Sequence, residues 1–153
     1  MKPITYAPKL PSPVRTGSPG LDIVVPCTTR PLTRAALTAA GRLSAELLPL
    51  IRMVHPYVVP FPLDLEAAPI SGTILRKQFV PLAEEFGAHL QLCFTRDPRE
   101  GLLHALGKDS VVLIAAYRRP WSLWWPSREE RLARWLSRRG HFVMLEYVEK
   151  NNA

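Results

Sequence analysis

The segment that decides the fold is residues 111–140, which read VVLIAAYRRPWSLWWPSREERLARWLSRRG. Its first six residues form a continuous apolar run, which is typical of a strand buried on both faces of a parallel sheet. After the loop, Ser127 and Glu130 have the spacing of a capping box, and Gly140 can end a helix in a left-handed conformation. The segment therefore predicts a buried strand, a loop and a helix that begins at Ser127.

The loop and the helix of this segment concentrate aromatic and basic residues. All four tryptophans of the chain lie here, and seven arginines stand against two glutamates in a chain of net charge +7. One side of the predicted helix carries apolar residues at helical spacing, namely Leu132, Trp135 and Leu136. Another side carries the arginines Arg131, Arg134 and Arg138. We expect the apolar side to pack and the arginine side to face water or a partner.

Outward from this segment, strand and helix patterns alternate along the chain. Apolar runs predict further strands at residues 21–26, 50–54, 89–95 and 141–148. Period-two alternation places the strand at 89–95 at a sheet edge, and prolines from Pro56 to Pro69 predict a long crossover loop. Helical spacing predicts helices between the strands, one of them started by Asp97 and Pro98. This alternation argues for a parallel α/β sheet with right-handed crossovers.

Size and composition bound the class of protein. The chain has 153 residues, 47% hydrophobic and 22% charged, which suits one soluble globular domain without a membrane-spanning segment. Residues 1–20 hold five of the sixteen prolines and are predicted to be a flexible tail before an α/β domain at 21–150. Cys27 and Cys93 are far apart, without a signal peptide or metal-ligand spacing, so we expect a cytoplasmic protein with no metal site.

The order of these elements, taken with particular residues, resembles the universal stress protein family over residues 21–148. The run Ile23-Val24-Val25-Pro26, followed after seven residues by Arg34-Ala35-Ala36-Leu37, is similar to the family's first strand, loop and helix. Arg96-Asp97-Pro98 stands where the family often has Gly-Asp-Pro, and residues 111–118 are similar to its fourth strand and turn. The resemblance implies an open α/β sandwich: a five-stranded parallel sheet in the order 3-2-1-4-5 with helices on both faces. It also implies a ligand crevice at the carboxyl ends of the first and fourth strands, where the strand order reverses.

The residues that hold ATP in that family differ here. ATP-binding members carry an aspartate after the first strand and a phosphate loop of the form Gly-two residues-Gly-nine residues-Gly-Ser/Thr, because glycines let backbone amides approach phosphate closely. Thr28 stands at the aspartate position, Ala116 and Arg119 at the first two glycines, and Pro126 with Ser127 near the last pair. We therefore predict weak or absent ATP binding and no resident cofactor, while nearby arginines offer another way to hold a nucleotide phosphate.

Residues near the predicted crevice are the candidates for binding a nucleotide or another anion. They are Thr28, Thr29, His55, Arg118, Arg119, Ser127 and Arg128. His55 follows the second strand but has no nearby acid or cysteine, a pattern more typical of a polar loop residue than of a catalytic one. Since no nucleophile, base and orienting acid can be assembled, we predict that the protein is not an enzyme.

The tryptophan loop and the arginine side of the next helix are the candidate interaction surface. Its residues are Trp121, Trp124, Trp125, Arg131, Arg134 and Arg138. The tryptophans either fold back as a lid over the crevice or form a docking surface, since Trp and Arg are enriched at binding hot spots. Two functions stay open: a non-catalytic regulatory or stress-response domain, and a module that binds nucleic acid or an anionic membrane surface.

The last predicted strand carries the apolar run Phe142-Val143-Met144-Leu145. An apolar strand at a sheet edge invites pairing with another copy of the chain. In the family that the chain resembles, the last strand does serve as a dimer contact. We therefore predict a homodimer through this strand.

Overall fold

The computed structural model describes residues 4–6, 22–44, 50–59, 70–107, 109–120 and 124–150. The strands in this part of the chain are β1 (Ile4–Tyr6), β2 (Asp22–Pro26), β3 (Leu50–Val58), β4 (His89–Thr95), β5 (Ser110–Tyr117) and β6 (Phe142–Val148). The helices are α1 (Arg30–Ser44), α2 (Ile70–Phe86), α3 (Pro98–Ala105) and α4 (Arg128–Arg138). Strands and helices alternate from β2 onward, as the sequence predicts.

The strands form one sheet in the order β1-β4-β3-β2-β5-β6. The five strands β4, β3, β2, β5 and β6 run parallel to their neighbours, whereas β1 is antiparallel to β4. Counted along the chain, the five parallel strands have the order 3-2-1-4-5, so the predicted α/β architecture is confirmed. The order reverses between β2 and β5, and ligands of open α/β sheets bind at the carboxyl ends of strands at such a point.

The outer edge of β4 is covered by β1, so the prediction that β4 is an edge strand is wrong. Ile4 stands opposite Phe94, and Tyr6 stands opposite Leu92. Most of β4 is buried, and its outer backbone groups need partners, which a short segment from elsewhere in the chain supplies. β1 lies within residues 1–20, where the sequence predicts a flexible tail; three residues are too few to show a periodicity. The rest of that predicted tail lies outside the described residues.

β3 continues through Pro56, where the sequence predicts a crossover loop. Pro56 stands opposite Cys93 of β4, but β2 ends at Pro26, which stands opposite Val54. Beyond Val54, β3 therefore has a partner strand on one side only, and a proline is tolerated at such an edge. The loop predicted to begin at Pro56 therefore begins after β3 ends at Val58. Residues 60–69 of that predicted loop lie outside the described residues.

Helices cover both faces of the sheet. α1 and α2 cover the face that carries Ile23 and Leu113, and α3 and α4 cover the face that carries Val24 and Val112. Because successive strand residues point to opposite faces, each central strand contributes to both cores. This double cover explains why β2 and β5 read as continuous apolar runs in the sequence.

A polar network ties the amino ends of four strands together. Arg52 of β3 donates to both carboxylate oxygens of Asp22 on β2, at 3.0 and 2.7 Å, and to the Gln91 side chain on β4 at 3.0 Å. The Ser110 hydroxyl at the start of β5 donates to the same carboxylate at 2.6 Å. The Arg52 and Asp22 side chains are less than one-fifth exposed, so this network stabilises the sheet at the end opposite to the expected crevice.

Candidate functional site

A cavity of about 580 Å³ opens at the carboxyl ends of β2 and β3, between the first turns of α3 and α4. Its lining residues are Pro26, Cys27, Thr28, Thr29, Pro56, Pro98, Arg99, Leu102, Arg128, Glu129, Arg131 and Leu132. The strand ends supply the floor, and the two helices supply the charged walls. The cavity therefore lies at the carboxyl end of the sheet, where α/β folds bind ligands, but beside β2 and β3. The crevice predicted between the first and fourth strands is displaced, since no described residue of β5 lines the cavity.

Both helices begin at this cavity and are held there by side-chain caps. Asp97 accepts a hydrogen bond from the Arg99 amide at 2.9 Å, and Pro98 occupies the first turn of α3. Ser127 accepts from the Glu130 amide, and Glu130 accepts from the Ser127 amide, both at 3.2 Å, which is the capping box that the sequence predicts for α4. The amino ends of helices attract negative charge through their dipoles and unpaired amides.

The charge of the cavity wall is positive. Arg99, Arg128 and Arg131 line it together with a single acidic residue, Glu129. Within the part of the chain that the structure describes, none of the three arginines forms an ion pair with a carboxylate. Glu130 does not change this balance, because it is 3% exposed and engaged in the cap. Three arginines and two helix starts thus border a cavity with one counter-charge, an arrangement suited to an anion. The Arg99 guanidinium also lies 5.2 Å from the centroid of the Trp135 ring.

The loop after β2 is fixed by hydrogen bonds beside the cavity. The Cys27 amide donates to the Val54 carbonyl at 2.8 Å, and the Thr28 amide donates to the hydroxyl of buried Thr33 at 3.0 Å. Thr28 and Thr29 line the cavity as predicted. Burial raises the pKa of the Cys27 thiol, so the thiol is protonated at neutral pH. This loop offers hydroxyl groups to a ligand but no activated nucleophile.

No protein-family model and no curated protein matches the sequence. Among solved structures, a universal stress protein in complex with cAMP matches with 17% identity and a TM-score of 0.52, covering 82% of this chain and 95% of that one. A universal stress protein family member from Burkholderia pseudomallei matches with 18% identity and a TM-score of 0.52, covering 88% and 99%. The chain has the universal stress protein fold. The resemblance predicted from the sequence is thus confirmed in the architecture.

The segment where the sequence predicts the equivalent of the family's phosphate loop takes part in strand pairing. Ala116, at the position of the first glycine, lies in β5 opposite Tyr147, and it is fully buried. The Arg118 amide donates to the Val148 carbonyl at 2.8 Å. The Arg119 guanidinium donates to the Trp125 carbonyl at 3.0 Å. These groups are engaged in the protein's own structure.

The predicted anion-binding residues divide into two groups. Thr28, Thr29 and Arg128 line the cavity, and Ser127 caps the helix that forms its wall. Arg118 and Arg119 do not line it; both are exposed, and the Arg118 guanidinium lies 5.9 Å from the centroid of the Tyr147 ring. They stay outside because β5 continues to Tyr117 and pairs with β6 before the chain turns away.

His55 is not at the crevice, and its prediction as a crevice residue is wrong. Because β3 continues past Val54, the alternation of side chains directs His55 to the face covered by α1 and α2. Its ring centroid lies 5.4 Å from that of Phe79, whereas the next residue, Pro56, lines the cavity. Burial lowers the pKa of His55, so its ring is neutral near pH 7.

The tryptophan loop does not fold back over the crevice at the two described positions. Trp124 is 80% exposed and Trp125 is 75% exposed, and neither lines the cavity. The lid interpretation requires buried indoles and fails for both residues. Trp121 lies outside the described residues. α4 has the two sides predicted for it, with Leu136 buried and the arginines Arg131, Arg134 and Arg138 exposed.

Arg99, Glu129 and Arg131 line the cavity without being predicted there, and Arg131 is predicted instead as part of the interaction surface. For Arg99 the sequence carries a partial signal. The signal was present, because Asp97 and Pro98 fix the start of α3, and the residue after them must lie in its first turn. The position of that turn beside the crevice follows only from the three-dimensional packing.

No group of three or more His, Cys, Asp or Glu side chains among the described residues is arranged to hold a metal ion. No helix in the described part of the chain is long and apolar enough to cross a membrane.

Proposed function

We propose that the protein is a cytoplasmic, non-catalytic regulatory domain of the stress-response type, whose crevice binds a small anion and does not bind ATP in a glycine cradle. The observation that carries this proposal is the engagement of the β5 end in strand pairing. The Arg118 amide bonds to Val148 in β6, and Ala116 lies in register with Tyr147. A phosphate cradle needs several free amides directed at one point.

The charge and size of the crevice support an anionic ligand. Arg99, Arg128 and Arg131 face it without carboxylate partners in the described part of the chain. A volume of about 580 Å³ falls in the range of roughly 300–1,000 Å³ that is usual for small-molecule sites. A protein of the same fold was solved with cAMP, which carries a single phosphate. A compact ligand with one phosphate is therefore the class that we propose.

The side chains around the crevice support binding without catalysis. No histidine is among the described lining residues, and Glu129 is the one carboxylate there. The partly buried thiol of Cys27 is held in its protonated form, because burial raises its pKa. The hydroxyls of Thr28 and Thr29 have no base beside them in that lining. A nucleophile without a base or a lowered pKa does not support covalent chemistry.

The exposed edge of the sheet supports a homodimer through β6. β6 is the outer strand beside β5, and no described strand pairs with its other edge. Phe142 is 67% exposed and Tyr147 is 41% exposed, although both are large apolar or aromatic residues. Unpaired backbone groups beside apolar side chains favour pairing with a second copy around a twofold axis.

Isothermal titration of the full chain with ATP and with cAMP tests the proposed ligand class. We expect ATP to bind with a Kd weaker than ~10 µM, an affinity that needs about 7 kcal/mol of contacts, and cAMP to bind more tightly than ATP. Arg99→Gln with Arg131→Gln should weaken cAMP binding by tenfold or more, because a hydrogen bond to a charged group contributes roughly 1.5–3 kcal/mol. Arg42→Gln with Lys77→Gln, an equal loss of charge on the other face of the sheet, should leave binding unchanged. Tight ATP binding that survives the crevice double variant contradicts the proposal.

Sedimentation velocity tests the dimer. At tens of micromolar, the wild-type chain should sediment at about twice its mass of 17.2 kDa. Phe142→Lys places a charge on the exposed edge without disturbing the core, and it should sediment as a monomer. A monomeric wild-type chain, or a variant that remains dimeric, contradicts the assignment of β6 as the contact.

A further inference from the structure

A second surface adjoins the crevice and extends along the outer side of α4 from the two tryptophans that precede the helix. It consists of Trp124, Trp125, Arg134 and Arg138, and none of these residues lines the cavity. We call it the α4 surface. We propose that the α4 surface binds single-stranded nucleic acid, a function separate from the binding of a small anion in the crevice.

The arginines of α4 form a row that the protein itself does not neutralise. Arg128, Arg131, Arg134 and Arg138 are all exposed and recur at spacings of three, three and four residues, which places them on one side of the helix. The first two also line the crevice, and Arg134 and Arg138 continue the row beyond it. The row is about 15 Å long, since each helical residue adds 1.5 Å. In the part of the chain that the structure describes, no carboxylate forms an ion pair with any of them. A row of guanidinium groups complements a chain of phosphates.

The tryptophans add aromatic faces at the beginning of this row. Trp124 and Trp125 are 80% and 75% exposed, although large aromatic side chains are usually buried. The backbone at Trp125 is held to the protein, because Arg119 donates to the Trp125 carbonyl at 3.0 Å and the capping box of α4 begins two residues later at Ser127. Unpaired bases stack on exposed aromatic side chains beside a basic groove, and this combination is the usual design of single-strand binding surfaces.

The same observations disfavour a duplex and a membrane. The bases of a duplex are stacked on one another, so their faces are closed to the indoles of Trp124 and Trp125. A helix that inserts into a membrane surface needs its apolar side free. The apolar side of α4 is in the core, where Leu136 is fully buried and Ala133 is 6% exposed. A single-stranded polyanion offers both the phosphates and the free base faces that the α4 surface fits.

Fluorescence anisotropy with labelled 20-residue oligomers of deoxythymidine and of uridine tests this inference on the full chain. Arg134→Gln with Arg138→Gln should weaken binding by tenfold or more and reduce the slope of log K against log salt by about 1.4, since each phosphate contact with a single strand contributes about 0.7. Arg42→Gln with Lys77→Gln removes the same charge from the opposite face and should change the affinity less than twofold. Trp124→Ala with Trp125→Ala should weaken binding by at least fivefold and leave the salt slope unchanged, because stacking does not release counterions.

The outcomes separate the possible partners. Preference for the uridine oligomer or for the deoxythymidine oligomer identifies RNA or DNA, and either result supports the inference. Equal losses of affinity in the variant of Arg134 and Arg138 and in the control variant of Arg42 and Lys77 would show that net charge alone attracts the oligomers. That result overturns the inference. Tighter binding of a duplex of equal length also overturns it, as does binding to vesicles containing anionic lipid with no binding of oligomers. These variants leave the crevice residues Arg99 and Arg131 in place, so a failure here does not affect the titration with cAMP.

Discussion

The two ends of the sheet treat charge in opposite ways. At the amino ends of the strands, Arg52 meets Asp22 through two hydrogen bonds of 3.0 and 2.7 Å. At the carboxyl ends, Arg99, Arg128 and Arg131 line a cavity, and within the described chain none of them forms an ion pair with a carboxylate. Charge is neutralised at the end where it joins strands, whereas three arginines face one glutamate at the end where a ligand can enter.

This difference separates residues that stabilise the fold from residues that bind. A partly buried ion pair is stable only while both partners are present, since an unpaired charge withdrawn from water is costly. Cations that outnumber their counter-charges repel one another in the folded state, and an anion relieves that repulsion. We therefore interpret the amino end as structural and the carboxyl end as the binding end.

Removing the carboxylate of the amino-end network should produce the largest effect. Asp22→Ala leaves Arg52 and the Ser110 hydroxyl without their shared acceptor, so we expect the free energy of unfolding to fall by about 2–4 kcal/mol. Urea denaturation of the wild type and the variant measures this loss. Glu85→Ala breaks the exposed ion pair with Arg34 and should cost at most ~1 kcal/mol. Similar losses in the two variants would remove the distinction between a structural pair and a surface pair.

Removing the counter-charge of the binding end should have a smaller effect and the opposite sign. Glu129→Gln deletes the one described acidic side chain in the cavity wall, so cAMP should bind up to about fivefold more tightly, in line with the ~0.2–1 kcal/mol of an exposed charge interaction. Calorimetric titration measures the change. Glu84→Gln, an exposed acid on α2, is the matched control and should leave the affinity unchanged. Weaker cAMP binding by Glu129→Gln would contradict an anion site.

His55 gives the fold a pH dependence that is independent of the crevice. Burial lowers its pKa in the folded state, so the unfolded chain binds the proton more readily as the pH falls below about 6.5, the usual value for histidine. The stability contributed by neutral His55 is complete above that pH and is lost as the pH falls toward the lowered pKa. Unfolding measured at pH 7.5 and 5.5 should show a smaller difference in His55→Phe than in the wild type. His104→Gln, at an exposed position on α3, should keep the wild-type difference.

Trp124→Ala should produce the smallest change in stability, because the side chain is 80% exposed. We expect the free energy of unfolding to change by less than about 0.5 kcal/mol, as for other surface substitutions. Leu136→Ala, on the fully buried side of the same region, should cost about 2–5 kcal/mol. Urea denaturation compares the two. A loss of several kcal/mol in Trp124→Ala would restore the lid interpretation of the tryptophan loop.

The parts of this fold that depend on neighbouring residues could be predicted from the sequence, and the parts that depend on distant pairing could not. The caps Asp97 and Ser127 and the left-handed Gly140 are local signals, and the structure has all three. The edge strand β1 and the continuation of β3 through Pro56 depend on which strand lies alongside, and no local pattern records that.

The candidate site divides in the same way. Thr28 and Arg128 were predicted at the crevice because they follow or begin elements whose order is visible in the sequence. Arg99 was missed because the packing of α3 against β3 brings it there. The sequence predicts that His55 follows the second strand in a loop at the crevice. His55 instead lies within β3, where its side chain points to the sheet face covered by α1 and α2.

The most direct test of the binding end is to observe which backbone amides respond to a ligand. A ¹⁵N-labelled chain titrated with cAMP should show chemical-shift changes at Thr28, Arg99 and Arg128, which surround the cavity. The Arg118 amide should remain unshifted, because it is bonded to Val148 in the sheet. Shifts concentrated at residues 116–119 with the helix starts unmoved would contradict this account, since they would place the ligand in a phosphate loop of the usual kind.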